Sequence, residues 1–137
     1  MRLWKLKQSK GQTMSKRVLN VGQCAFDQAG ISRFLRQHFD VVVDPADHLD
    51  DAMESLRGGQ FDLVLVNRQL DFDGSDGMVV VESIKSDSET ANVSVMLVSN
   101  FADAHERAVK AGAEIGFGKA ELGDAAVIER LAKFLAE

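Results

Sequence analysis

FDLVLVNRQLDFDGSDG, residues 61–77, is the segment on which the fold turns. Leu63 to Val66, with Phe61 just ahead of them, form a short apolar run bounded by polar residues. A strand buried on both faces reads this way, and such strands belong to parallel sheets covered by helices on either side. The run ends at Asn67 and passes into an acidic, glycine-containing loop from Asp71 to Gly77. In open parallel sheets ligands and chemistry gather at the strands' carboxyl ends. What Asn67 can do there therefore bears on every functional reading of the chain.

Upstream, Arg17–Gly22 (RVLNVG) reads as an apolar first strand. Ile31, Phe34, Leu35 and His38 then recur at helical spacing, a helix with one core-facing stripe and Asp27 as its N-cap or first-turn acid. Val41–Val43 reads as a second strand ended by Asp44-Pro45. Leu49, Ala52, Met53 and Leu56 repeat the helical stripe, which stops at Gly58-Gly59. Downstream, Met78 to about Lys85 reads as a third helix with Val81 and Ile84 inward. Val93–Val98 is a fourth strand, Ala102–Ala111 a helix closed by Gly112, and Ile115–Phe117 a short fifth strand. Val127, Ile128, Leu131, Phe134 and Leu135 form the apolar face of a last helix. Five strand–helix alternations without an internal repeat predict one α/β domain over residues 17–137, a doubly wound parallel sheet.

Composition narrows the class further. At 137 residues and 45% hydrophobic the chain is long enough for a core of its own. It has no apolar run of about 18 residues and no secretory signal, so no membrane role is expected. A single cysteine, Cys24, suits a reducing compartment, and we expect a cytoplasmic protein. Residues 1–17 carry six basic side chains and no acid, which leaves ten basic against 21 acidic residues in the body. A body so acidic is not expected to bind nucleic acid. Residues 1–16, with Trp4, read as a disordered basic leader or an expression remnant ahead of the domain.

Over residues 17–136 the sequence resembles the receiver domains of two-component response regulators. FDLVLV with its polar successor, followed by Asp73-Gly74 or Asp76-Gly77 opening a helix, is similar to the family's third strand and phosphoacceptor loop. VSVMLVSN is similar to its fourth strand, ending in the switch Ser/Thr, here Ser99. AVKAGAEIGFGK is similar to the stretch that leads to its pocket lysine, here Lys119. The resemblance implies a flavodoxin-like five-stranded sheet of order 2-1-3-4-5. It also implies that Gly22, Gln23, Asn67, Ser99 and Lys119 meet at the carboxyl edge.

The departures fall on the chemistry. The family carries a phosphoryl group on an Asp where this chain has Asn67, and holds Mg²⁺ with that Asp and an acidic pair, here Gly22 and Gln23. A carboxamide is a poor nucleophile and offers no stable acyl phosphate. Mg²⁺ wants anionic oxygens, and the transfer relies on it, so neither Mg²⁺ nor another cofactor is expected. The proline expected after the lysine is Ala120, and the aromatic expected near the end of the fifth strand falls at Gly116, with Phe117 one place later.

Rival readings attach to single features. Asp71, Asp73 or Asp76 is a candidate displaced phosphoacceptor. Asp71, Asp73, Ser75 and Glu82 also match four positions of an EF-hand loop, but the required Gly is Asp76 and no helix precedes them. Cys24 reads as a plain buried cysteine, His38 as a core-edge residue, and His48 and His105 as residues of polar faces; no spacing makes a metal site. The expected function is a phosphorylation-independent, non-enzymatic interaction module of bacterial two-component signalling or a phosphorelay, a pseudo-receiver. Its partner would be a histidine kinase or an output protein, met through the face of the fourth helix, fifth strand and fifth helix, with His105, Arg107, Glu114 and Glu121 as surface candidates. The alternatives are a phosphoacceptor using a loop Asp and a sensor of a small neutral ligand in the emptied pocket.

Overall fold

Leu63, Val64, Leu65 and Val66 have no solvent exposure, so the central strand is buried on both faces as its composition predicts. Fully burying side chains of this size contributes about 1.5–3 kcal/mol each. The computed structural model describes residues 15–137. The basic leader, with Trp4, lies outside the described residues except for Ser15 and Lys16.

The strands are β1 (Lys16–Val21), β2 (Val41–Ala46), β3 (Leu63–Asn67), β4 (Val95–Val98) and β5 (Glu114–Phe117). The helices are α1 (Ala25–His38), α2 (Leu49–Gly58), α3 (Met78–Ser86), α4 (Ala102–Lys110) and α5 (Ala125–Leu135), with a 3₁₀ turn at Lys119–Glu121 ahead of the last. All neighbouring strands pair in parallel, in the order β2-β1-β3-β4-β5. The alternation along each strand sorts the core into two layers. Val18, Leu63, Leu65, Met96, Val98 and Phe117 pack under α1 and α5. Leu19, Val21, Val64, Val66, Val95 and Leu97 pack under α2, α3 and α4.

Some boundaries differ from the sequence reading. β2 continues through Asp44-Pro45 to Ala46. Among the described residues its only partner is β1, and an edge strand tolerates a proline because one side needs no donor. β4 starts at Val95 rather than Val93, whose carbonyl instead accepts from Lys85 Nζ at 2.6 Å. His48 caps α2 in a reciprocal box with Asp51 rather than lying on a polar face. His38 is exposed rather than at a core edge, and stacks beside Phe34 and Phe39. Asp76-Gly77, not Asp73-Gly74, opens α3, with Asp76 Oδ1 accepting from Met78 N–H at 2.9 Å.

Candidate functional site

Gly22 follows β1 with φ +82°, a left-handed conformation that L side chains rarely adopt. The space beside it belongs to Leu70, which is 3% exposed, and a Cβ added at Gly22 would collide with Leu70 Cδ2. The Gly22 carbonyl accepts from Asp71 N–H at 2.9 Å and from Asn67 Nδ2 at 3.1 Å. Asn67 donates its second amide proton to the Gln69 carbonyl at 2.7 Å. Both partners of the amide nitrogen are carbonyls, so the orientation of the amide is fixed and only Oδ1 remains to meet anything else. Gln23 is buried, and among the described residues its amide has no hydrogen-bond partner. The loop after β1 is thus tied to the loop after β3 without any carboxylate.

The other half of the edge is polar and open. A cleft of about 240 Å³ is lined by Asn67, Arg68, Ser99, Asn100, Phe101 and Lys119, among others. Ser99 is buried at the end of β4, where its Oγ accepts from Phe101 N–H at 3.0 Å in the turn that leads to α4. Asn100 Oδ1 accepts from Ala120 N–H at 3.2 Å, a donor that a proline at this position would lack. The Arg68 guanidinium lies 5.1 Å from the centre of the Phe101 ring. Gln23 is not among the cleft's lining residues; Asn67, Ser99 and Lys119 are brought together there.

Lys119 reaches away from the sheet to α1, where its Nζ donates to Asp27 Oδ2 at 2.7 Å. That hydrogen bond is the main cause of a lowered carboxyl pKa at Asp27, opposed by partial burial and aided by the Cys24 thiol. Asp27 is a first-turn acid but not the N-cap. The cap is Cys24, whose Sγ accepts from Asp27 N–H at 3.5 Å and approaches Asp27 Oδ2 at 3.4 Å. Cys24 is half-buried at a helix start rather than a plain core cysteine. The sequence reading missed both the Asp27–Lys119 bridge and His105. The imidazole of His105 lies on α4 with Nε2 at 2.7 Å from the Ser99 carbonyl, beside the end of β4 and not on an outer polar face.

The loop acids Asp71, Asp73 and Asp76 are exposed and do not line the cleft. Asp73 Oδ1 accepts from Ser75 N–H at 2.9 Å, and the Ser75 side chain and backbone hold its pKa down. Asp76 also faces Arg107 of α4, at 3.4 Å. Among the described residues no three His, Cys, Asp or Glu side chains are grouped to share a metal ion. At Gly116 a side chain would strike the Leu97 carbonyl, so an aromatic does not fit there. Phe117 is fully buried under α1 and α5, and Ile115 stands 60% exposed on the other side.

No protein-family model matches the chain, and no curated protein sequence does. Among solved structures, the signal receiver domain of a DNA-binding response regulator from Colwellia psychrerythraea is similar with a TM-score of 0.73 and 24% identity, over 87% of this chain and 97% of that one. A response regulator from Thermotoga maritima matches with a TM-score of 0.72 and 22% identity, over 90% of this chain and all (100%) of the other. The receiver domain of a sensor histidine kinase from Pseudomonas aeruginosa, holding a magnesium ion in its active-site cleft, matches with a TM-score of 0.69 and 19% identity, over 90% and 100% of the two chains. The fold is therefore the flavodoxin-like receiver fold, with strand order 2-1-3-4-5. Gly22, the uncharged Gln23 and Asn67 with its committed amide do not fit a magnesium ion, which takes anionic oxygens.

Proposed function

We propose that the chain is a pseudo-receiver: a receiver-fold interaction module of two-component signalling that works without phosphorylation and without Mg²⁺. One observation carries the reading. Where the resemblance puts nucleophile and metal ligands, an amide donates both its protons to backbone carbonyls and Leu70 fills the space beside Gly22. A carboxylate at position 67 would face the carbonyls of Gly22 and Gln69, and one at position 22 would meet Leu70. The reaction thus lacks its acceptor and its charge-neutralising ion together.

The partner, a histidine kinase or an output protein, meets the face of α4, β5 and α5. Val109 and Ile115 are exposed there beside a shallow groove bordered by His105, Glu106 and Lys110. Arg107, Glu114 and Glu121 are exposed as surface candidates, whereas His105 is turned inward to Ser99 and positions α4 instead. Among the described residues no helix is long and apolar enough to cross a membrane. Incubation with acetyl phosphate or beryllofluoride and Mg²⁺ tests the reading. We expect an unchanged intact mass and no Mg²⁺-dependent binding; a stoichiometric phosphoryl adduct on any aspartate overturns it.

A further inference from the structure

The surface between α2 and α3 sets exposed apolar side chains among negative charge. Phe72 and Val79 are 66% and 50% exposed, and with Leu49 they line a cavity of about 340 Å³ whose wall also carries Asp50 and Asp73. The Phe72 ring meets His48 edge-on, with 5.1 Å between ring centres, and His48 is fixed as the cap of α2. The aromatic is therefore presented at the rim of the cavity rather than folded onto the core. Residues 47–54 and 71–82, which carry this surface, hold four carboxylates each and no lysine or arginine. Among the described residues only one of these eight acids, Asp76, meets a cation of that kind, Arg107 at 3.4 Å. What covers this face has to bring apolar anchors and positive charge together.

The chain supplies such a segment itself. Residues 1–7, MRLWKLK, set Leu3, Trp4 and Leu6 among Arg2, Lys5 and Lys7. Residues 1–14 hold four basic side chains and no acid, which leaves 12 basic against 21 acidic residues in 15–137. The two parts thus carry formal side-chain charges of +4 and −9. β1 opens beside Ser15, whose Oγ donates to Asp40 Oδ1 at 2.9 Å. Trp4 lies 11 positions before Ser15, a length of chain that reaches at most about 36–40 Å. The six residues of β1 rise only about 20 Å, so the segment reaches either end of the sheet. We propose that residues 2–7 dock on their own domain between α2 and α3. Trp4 packs against Phe72 and Val79, and the basic side chains face the acids of α2 and of the loop before α3. Tethering places the segment at about millimolar effective concentration, so contacts of modest strength suffice. None of the residues lining this cavity lines the cleft of Asn67, Ser99 and Lys119, so docking leaves that cleft open.

Trp4 is the one tryptophan of the chain, which has no tyrosine, so indole fluorescence reports this segment alone. The test compares emission and acrylamide quenching of the whole chain with those of a synthetic peptide of residues 1–12. We expect the chain's emission to lie to the blue of the peptide's and its quenching to be weaker. Both differences survive about a hundredfold dilution, because the docking is intramolecular. Salt at about 1 M, which screens charges beyond about 3 Å, moves both toward the peptide's values. Phe72→Ser with Val79→Ser, at two exposed positions, restores the peptide's values, whereas Phe26→Ser, which removes an exposed aromatic from α1, changes nothing. Asp50→Asn with Asp73→Asn weakens docking about two- to tenfold, while the far-ultraviolet circular dichroism of the fold is unchanged. Emission and quenching equal to the peptide's overturn the proposal, as does protection that Phe72→Ser with Val79→Ser leaves intact or that Phe26→Ser removes as well. Protection lost on dilution overturns it too, since the segment then docks on a second copy.

Discussion

The two halves of the sheet's carboxyl edge are built on opposite terms. At the ends of β1 and β3, Gly22, Asn67 and Leu70 are joined by packing and by hydrogen bonds to backbone carbonyls. At the ends of β4 and β5, Ser99, Asn100 and Lys119 surround an open polar cleft with cations beside it. The first half behaves as an extension of the core, where changing one group leaves another stranded or crowded. The second behaves as a surface, where changing one group alters what the cleft holds but little of what holds the fold. Placing carboxylates at positions 22 and 67 should therefore cost more stability than altering the other half.

Gly22→Asp should show the largest effect. It asks an L residue to keep φ near +82° and drives a Cβ into Leu70 Cδ2. Left-handed strain and overpacking together come to about 2–4 kcal/mol. Denaturant titration should show a lower midpoint at an unchanged slope, and adding Leu70→Ala should cost less in this background than in the wild type. A Gly22→Asp protein as stable as its parent would erase the difference between the halves.

Asn67→Asp comes next. The amide that gave protons to the Gly22 and Gln69 carbonyls becomes a carboxylate facing the same two oxygens. We expect a loss of about 1–3 kcal/mol, since two acceptors lose their donor and gain a like-charged neighbour. Mg²⁺ affinity should not return, because Gly22 and Gln23 still supply no charge. Isothermal titration with MgCl₂ checks this, and a measurable affinity would show that one carboxylate is enough to reopen the sealed half.

The same contrast separates what was legible in the sequence from what was not. The layered sheet was legible because the signal is local: Leu63–Val66 has no polar residue to face water, and the helix stripes repeat at a fixed spacing. The placement of Asn67, Ser99 and Lys119 around one cleft came from the resemblance rather than from any spacing, and Gly22 and Gln23, expected beside them, are not among the residues lining it. Pro45 misled because a breaker in a central strand is harmless in an edge strand, and nothing in its neighbours says which strand is the edge. The seal at Gly22 needs a positive φ and a leucine 48 positions away, and the link from Lys119 crosses 92 positions to a first-turn aspartate. His105 reads as one more polar helix residue until the helix is laid against Ser99. Contacts of this kind are set by how the loops fold onto each other, and no spacing rule carries them.

The smallest effect we predict belongs to the Asp27–Lys119 bridge, and pH isolates it. The bridge lowers the folded carboxyl pKa of Asp27 below its ordinary 3.8. A group depressed in the folded state binds fewer protons there than when unfolded, so its stabilisation is complete above the unfolded value and is lost as pH falls through the folded one. The two side chains are 32% and 28% exposed, so solvent screens the pair and its contribution is about 0.5–1 kcal/mol. Asp27→Asn should remove that increment above about pH 5 and flatten the loss of stability on acidification below it. Because Asp73 and Asp87 are lowered as well, the variant keeps their share of the acid slope, and only the difference between the two curves reports the bridge. If the curves coincide at every pH, the Asp27–Lys119 contact adds nothing measurable to stability, and the open half is held without help from that ion pair.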